Sequence, residues 1–115
     1  MTSFSVGRQA ESAAVEYLKA HGYTVLEQNF RTRWCEIDIV AQKQQEYYFV
    51  EVKYRSSDAQ GSGLEYITPA KLRQMAFAAE FWLQAKNKTG APYVLTGVEV
   101  SGQDYAVTEF IESLT

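Results

Sequence analysis

The chain has 115 residues, a net charge of −3 and a sequence pI of about 5.1. The length suits one domain over residues 1–115, and the acidic balance argues against a protein that coats nucleic acid through bulk positive charge. The acidic balance is still compatible with an enzyme that contacts DNA through a local basic patch. A single cysteine, Cys35, excludes an intrachain disulfide and fits a reducing compartment. The sequence carries neither a signal peptide nor an apolar stretch of membrane-spanning length, so we expect a cytoplasmic protein that does not use a membrane.

The N-terminal half is predicted to form one helix and three strands. The helix is expected over residues 5–20, with its apolar residues on one face and Gly22 at its end. Three strands follow, at residues 23–30, 36–41 and 47–54. The second and third strands are separated by a short polar connection, so we predict that they pair as a β-hairpin.

The C-terminal half is predicted to form one helix and two strands. Residues 56–66, which include Gly61, Ser62 and Gly63, are expected to be a flexible loop. Thr68 and Pro69 are a hydroxyl N-cap and a first-turn proline, so a helix should begin there and continue to about residue 88. Two more strands are predicted at residues 93–100 and 105–111. The order αβββαββ predicts an α/β fold in which a mixed central sheet is flanked by two helices.

The predicted hairpin carries carboxylates at one end of an otherwise apolar face. Side chains alternate along a strand, so Asp38 should share a face with Val40, whereas Ile37 and Ile39 should point the other way. On the next strand, Glu51 should share a face with Lys53. A solvated face would be polar along its whole length, so these charged residues are candidates for a site.

The register of the hairpin decides what Asp38 faces, and the spacing leaves two registers open. If Gln44 and Gln45 form the turn, Asp38 lies opposite Glu51, with about 5 Å between the starting points of the two side chains. If the turn is one residue later, Asp38 lies opposite Lys53, and the two form an ordinary cross-strand ion pair.

Two facing carboxylates destabilise a hairpin unless positive charge lies between them. A divalent cation is the natural candidate, and Mg²⁺ prefers oxygen ligands while keeping several waters and a substrate phosphate. Such an ion can polarise a phosphate and generate hydroxide. Lys53 would then be placed to hold the attacking water or to neutralise charge on the phosphoryl oxygens.

Basic and aromatic residues adjoin the hairpin. The basic residues would form a phosphate-binding rim, with dispersed surface charges as the alternative; they are Arg31, Arg33, Arg55, Lys71 and Arg73. Three aromatic residues have the chemistry to stack on bases, although packing in the core or at an edge is the favoured interpretation; they are Trp34, Tyr54 and Tyr66.

Five segments together resemble one family, and they occur in its order over most of the chain up to the second helix. The segments are Gly7-Arg8-Gln9-Ala10-Glu11, Asn29-Phe30-Arg31, Cys35-Glu36-Ile37-Asp38-Ile39-Val40, Phe49-Val50-Glu51-Val52-Lys53-Tyr54-Arg55 and Ile67-Thr68-Pro69-Ala70-Lys71. They are similar to the YraN-type family of small bacterial proteins. That family resembles Holliday-junction resolvases of the restriction-endonuclease-like superfamily.

The resemblance implies a restriction-endonuclease-like three-layer fold and a catalytic site made of Asp38, Glu51 and Lys53. It also implies Mg²⁺ or Mn²⁺ held by Asp38 and Glu51, with Glu11 as an additional acid from the first helix. A residue on the helix boundary paired with Arg8 is the slightly favoured alternative for Glu11. The sequence departs from the family at Cys35, where the family usually has glycine, and at Val94-Leu95-Thr96, where it tends to have Arg-Phe-Asp.

Two functions follow from this combination of residues. The first is a metal-dependent endonuclease, or a resolvase-like protein, that acts on DNA phosphodiesters. The second is a nucleic-acid-binding or protein-interaction module that keeps the nuclease fold without turnover. A junction resolvase cuts two strands symmetrically, so that activity would require a homodimer with twofold symmetry.

Overall fold

The computed structural model describes residues 3–56, 64 and 67–115. Within them the predicted order αβββαββ is confirmed. The elements are α1 (Ser3–Ala20), β1 (Thr24–Arg31), β2 (Glu36–Lys43), β3 (Glu46–Arg55), α2 (Pro69–Ala85), β4 (Tyr93–Ser101) and β5 (Ala106–Ile111). The predicted bounds differ from these by at most three residues, most of all at the end of α2. Most of the predicted loop, residues 57–63, 65 and 66, lies outside the described residues, and so does Tyr66.

The five strands form one mixed sheet in the order β1-β2-β3-β4-β5. Three of the four strand pairs are antiparallel, whereas β3 and β4 are parallel. Parallel neighbours need a crossover connection, and α2 lies in the segment that supplies it. The arrangement is compatible with a three-layer nuclease-like fold. In the part of the chain described here, neither helix is long and apolar enough to cross a membrane.

A helix covers each face of the sheet, because the strands are apolar on both faces. On one face, α1 buries Ala14, Val15 and Leu18 against a cluster that includes Ile39 and Val50. On the other face, α2 buries Ala79, Trp82 and Leu83 against a cluster that includes Val40 and Phe49. Burial of this kind contributes about 25 cal/mol per Å² of apolar surface. The two clusters hold both helices against the central strands.

The hairpin between β2 and β3 adopts the first of the two predicted registers. Val40 pairs with Phe49, and the ladder continues through Lys43 and Glu46 to the turn. The two turn residues, Gln44 and Gln45, both have positive φ, at 52° and 68°, as the central residues of a type I′ turn require. The alternative register, with Asp38 opposite Lys53, is therefore wrong.

The ladder between β2 and β3 ends at the pair Ile39–Val50. Beyond this pair β2 stays with β1 as far as Glu36, and β3 stays with β4 as far as Arg55. The two strands therefore separate where the predicted acidic residues lie. Ile37 packs in the α2-side cluster, so its predicted place beside Ile39 is wrong. At this point the ladder partner of β2 is β1, and the Asp38 side chain accepts a hydrogen bond from the backbone of β3.

The predicted start of α2 is confirmed. The Thr68 hydroxyl accepts a hydrogen bond from the Lys71 N–H at 3.0 Å, and Pro69 occupies the first turn. A cap of this type contributes about 1 kcal/mol. It fixes the first turn of α2, and with it the point from which the Lys71 side chain leaves the helix.

Candidate functional site

Asp38 lies where β2 leaves β3, and its side chain spans the opening between the strands. Its Oδ2 accepts a hydrogen bond from the Val52 N–H at 2.8 Å, so a carboxylate takes the place that a ladder carbonyl would occupy. Burial raises the pKa of Asp38, and the Val52 N–H lowers it in part. The N–H therefore holds a half-buried carboxyl group against β3.

Glu51 lies on β3 next to Val52 and is largely covered, with a side-chain exposure of 20%. Its carboxylate is 3.3 Å from Nζ of Lys71, which comes from the first turn of α2. Burial raises the pKa of Glu51, the Asp38 charge raises it further, and Lys71 and Lys53 lower it. Asp38 and Glu51 are therefore electrostatically coupled, as the register predicts.

Glu11 joins this pair from α1. Its side chain is half-buried, and its pKa is raised by burial and then by the Asp38 charge, while Asn29 and Arg31 lower it. Glu11 is therefore close enough to Asp38 for the two to interact electrostatically, and the alternative predicted for it, a boundary residue paired with Arg8, stays a prediction. Three acidic residues from α1, β2 and β3 meet at one end of the sheet.

Asn29 belongs to this site although the sequence reasoning gave it no role. It lies on β1 with φ of 55°, in the left-handed region that asparagine tolerates better than most residues. Its amide hydrogen bond to Glu11 lowers the pKa of that carboxyl group. Two signals were available: an asparagine inside a strand, where this residue is depleted, and its place in the Asn29-Phe30-Arg31 segment that resembles the family.

The donor chemistry of the site fits a hard divalent cation. Asp38 and Glu51 supply carboxylate oxygens, and Mg²⁺ is commonly held by one or two carboxylates together with water and substrate phosphates. Among the described residues, no group of three or more His, Cys, Asp or Glu side chains is arranged to hold a metal ion. A bound cation would therefore depend on two carboxylates and on ligands from outside the protein.

Lys53 is exposed and lies two residues beyond Glu51 on the same strand. Its charge lowers the pKa of Glu51, so it is close enough to act on that carboxylate. Lys53 pairs in register with Glu99 of β4, which is buried. The predicted trio of Asp38, Glu51 and Lys53 therefore lies at one end of the sheet.

The predicted rim divides into two groups. Arg31, Lys71 and Arg73 lie together beside the opening, Arg33 lies over the neighbouring Trp34 ring, and Arg31 forms an exposed ion pair with Glu36 at 3.3 Å. Arg55 lies elsewhere, in an ion pair with Glu99 at 3.4 Å, and the two side chains are only 14% and 5% exposed. Removing one partner of a covered ion pair leaves an uncompensated charge. The position of Arg55 therefore favours a structural role.

A groove of about 730 Å³ opens beside the acidic residues, between α2 and the connection from β1 to β2. Its charged lining consists of Arg31, Lys71, Arg73 and Glu36, so cations outnumber anions in a chain of net charge −3. Cys35 also lines it, which places the departure from the family's glycine directly in the groove. Lys71 belongs to both the groove and the ion pair with Glu51, so the two features are continuous.

Exposed aromatic rings border the same groove. Trp34 is 66% exposed and Phe77 is 54% exposed, and both line the groove. The favoured prediction for Trp34 was packing in the core or at an edge. Its exposure excludes the core, and its ring lies against Phe81 at 6.0 Å at the edge of the sheet. Tyr54 is half-buried and donates its hydroxyl hydrogen to the Gly102 carbonyl, in line with the prediction for that residue.

A mixed sheet between two helices, with coupled carboxylates where two strands separate, defines the chain as a three-layer α/β protein of nuclease-like architecture. Comparison with known proteins gives the family. The sequence profile of the Uncharacterised protein family UPF0102 matches residues 10–103, and the chain belongs to this family. That result agrees with the YraN-type resemblance of its motifs.

Relatives from several bacteria match over most of their length. A UPF0102 protein of Hahella chejuensis is 42% identical over 90 residues, which cover 78% of this chain and 73% of that protein. A UPF0102 protein of Geotalea uraniireducens is 41% identical over 105 residues, covering 91% and 83%. A third, from Geobacter metallireducens, is 42% identical over 101 residues, covering 86% and 83%.

Proposed function

We propose that the protein is a metal-dependent endonuclease that hydrolyses DNA phosphodiesters at the opening between β2 and β3. The observation that carries the proposal is the coupling of Asp38 and Glu51 at the point where the two strands separate. Both carboxyl groups are half-buried, and the Asp38 charge raises the pKa of Glu51. Such a pair costs stability unless a cation or a shared proton compensates the charge. A folding role alone gives no reason for placing them together.

Each residue of the site has a chemical part in this proposal. Asp38 and Glu51 would hold Mg²⁺ or Mn²⁺, and Glu11 would support Asp38 from α1. When bound, the cation would polarise the phosphodiester and lower the pKa of a water molecule. Lys53 would neutralise charge on the phosphoryl oxygens or hold the attacking water. Arg31 and Lys71 would orient the neighbouring phosphates.

The decisive experiment is a cleavage assay with linear duplex, single-stranded and branched DNA, each with EDTA, Mg²⁺ or Mn²⁺. Wild-type protein should cut at least one substrate only when the metal is present. Glu51→Gln should fold and lose this activity. If Glu51→Gln cuts as fast as wild type, the activity belongs to a contaminant or to another site. Equal cutting in EDTA would contradict the metal requirement.

A second candidate function is nucleic-acid binding without turnover. Two observations favour it: among the described residues no third metal-binding side chain completes the pair, and Lys71 already supplies positive charge to Glu51. In this alternative wild type binds DNA but cuts none of the substrates. Measuring the molecular mass in solution would test the junction-cutting form of the nuclease, because symmetric cutting of a junction needs a twofold dimer.

A further inference from the structure

The groove beside the acidic residues combines cations with exposed aromatic rings. Phe81 lies at the centre of the aromatic part, with its ring centroid 6.0 Å from that of Trp34 and 6.3 Å from that of Phe77. Phe30 of β1 also lies against Phe81, at 6.3 Å. We call Phe30, Trp34, Phe77 and Phe81 the aromatic cluster. It joins α2 to β1 and to the connection that follows it.

Within the aromatic cluster, the two rings that line the groove are also the exposed ones. Phe30 and Phe81 are partly buried, whereas Trp34 and Phe77 are more than half exposed and line the groove. Exposed apolar rings at the edge of a groove commonly mark a binding surface. Arg33 lies over the Trp34 ring, 5.4 Å from its centroid, so positive charge is present at the ring itself.

The charge of the groove indicates which class of ligand fits. Three cations and one anion line it, and the first turn of α2, which favours anions, contributes Lys71 to it. Basic side chains interleaved with aromatic rings are the usual combination for an unpaired nucleic-acid strand, whose phosphates meet the cations while its bases stack on the rings. The bases of an intact duplex are already stacked on one another and leave Trp34 and Phe77 without a partner.

We propose that this groove binds an unpaired stretch of DNA by stacking bases on Trp34 and Phe77, next to the acidic site. The inference rests on the proposed endonuclease function and narrows its substrate to DNA with unpaired nucleotides. Lys71 makes the connection, because it lines the groove and reaches Glu51 at 3.3 Å. A strand held in the groove therefore passes the carboxylate that the proposed chemistry uses.

The test measures binding in EDTA, so that it does not depend on cleavage. The probes are a labelled oligothymidylate of about 12 nucleotides, within the range bound by small single-strand modules, a duplex of the same length, and an oligouridylate. Wild type should bind the oligothymidylate more tightly than the other two. Trp34→Ala and Phe77→Ala should each weaken that binding by roughly tenfold, the scale of losing one base–aromatic stack.

A matched control is available on β1. Leu26 is also an exposed apolar residue, at 42%, but it does not line the groove, so Leu26→Ala should bind like wild type. The melting temperature of each variant shows whether it folds. The proposal would be overturned if Trp34→Ala and Phe77→Ala weakened duplex binding as much as oligothymidylate binding, or if neither variant weakened oligothymidylate binding. Tighter binding of oligouridylate would overturn the choice of DNA.

Tryptophan fluorescence gives a second readout at the residue itself. The chain has two tryptophans, and Trp82 is buried at 4% exposure, unlike Trp34. In Trp34→Phe the remaining emission comes from Trp82 and should not respond to oligothymidylate, whereas wild-type emission should be quenched. An equal response in both proteins would place the bound strand elsewhere. If wild type binds oligothymidylate by stacking but cuts no DNA in Mg²⁺, the proposed binding groove is supported and the proposed endonuclease function is contradicted.

Discussion

The Lys71 ammonium lies 3.3 Å from the Glu51 carboxylate and joins the first turn of α2 to β3. The ion pair supplies positive charge at the place where the proposed function puts a divalent cation. If the proposed cation binds, Lys71 would either compete with it for the Glu51 carboxylate or turn towards a phosphate. This competition can be measured without any assay of activity.

Replacing Lys71 by methionine should lower stability slightly and strengthen the response to metal. The lost ion pair is partly exposed, with Lys71 at 35%, so the cost should be about 0.5–1 kcal/mol in the free energy of unfolding. Millimolar Mn²⁺ should then raise the melting temperature of Lys71→Met by more than that of wild type, because the competing cation is gone.

The other end of α2 provides the control for this prediction. Lys86 forms an ion pair with Glu27 at 3.6 Å, so Lys86→Met removes a similar pair away from the acidic site. Its response to Mn²⁺ should equal that of wild type. If Lys71→Met responds less than wild type, Lys71 does not compete with the ion.

Asp38→Asn should separate the electrostatic role of Asp38 from its structural one. The amide oxygen of asparagine can still accept the Val52 N–H, while the charge that repels Glu51 is lost. In EDTA the variant should be as stable as wild type or more stable. Asp38→Ala leaves the Val52 N–H without that acceptor and should be less stable by about 1–3 kcal/mol.

Comparing Asp38→Asn with wild type also tests the proposed metal site. Millimolar Mg²⁺ or Mn²⁺ should raise the melting temperature of wild type but not that of Asp38→Asn. An undiminished metal response in Asp38→Asn would place the ion elsewhere on the chain. Chemical unfolding in EDTA and in Mn²⁺, on one preparation of each protein, gives both comparisons.

The pH dependence of stability should report the coupled carboxyl groups. The pKa values of Glu11, Asp38 and Glu51 are all raised above their usual values of 4.5, 3.8 and 4.5, first of all by burial. The folded state then binds more protons than the unfolded state, so these three groups make stability fall as pH rises from about 4 through their raised pKa values. In EDTA, the stability of Asp38→Asn should fall less over this pH range. The substitution removes one titrating carboxyl group and the negative charge that raises the pKa of Glu11 and Glu51.

Glu16→Gln serves as the comparison for this experiment, because Glu16 is exposed on the helix that carries Glu11. Its stability should follow the wild-type pH curve. The free energy of unfolding, measured in urea at several pH values, gives the slope for each protein. Identical slopes for wild type and Asp38→Asn would mean that Asp38 ionises in the folded chain as it does in the unfolded chain.

The elements and the position of the acidic pair could be predicted from the sequence because they depend on local patterns. Alternation along β2 and β3 indicates strands, and Thr68 with Pro69 marks the start of a helix. The hairpin register could not be chosen, because Gln44 and Gln45 lack the Asn-Gly signal of a type I′ turn. The contacts of Lys71 with Glu51, and of Asn29 with Glu11, depend on how the helices lie against the sheet. Spacing along the chain carries no information about either contact.

The turn itself offers a test of the register. Gln44 and Gln45 both have positive φ, a conformation that Asn-Gly adopts with less strain. Replacing Gln44 by Asn and Gln45 by Gly should therefore raise the free energy of unfolding by about 1 kcal/mol, since glycine also removes the steric cost at its position. The metal response should be unchanged. A loss of stability would contradict the register, and with it the pairing that brings Asp38 to Glu51.

Substituting Lys53 distinguishes an enzyme from a binding module, because the proposed chemistry requires this residue and metal binding alone does not. The residue is exposed on β3, so Lys53→Met should fold with a melting temperature close to that of wild type. It should also keep the metal-dependent rise in melting temperature, since Asp38 and Glu51 are intact. Methionine preserves much of the length and the apolar packing of the lysine stem while removing its charge.

Cleavage by Lys53→Met should fall by at least roughly a hundredfold, the scale of losing one electrostatic stabiliser in a transition state. A compact ammonium beside the scissile phosphate acts only when charge develops there, so DNA binding should change far less than the rate. Lys88→Met, an exposed lysine beyond α2, should cut like wild type. An unchanged rate for Lys53→Met would make Lys53 a solvated surface residue. If wild type cuts none of the DNA substrates, binding without turnover becomes the better account of the coupled carboxylates.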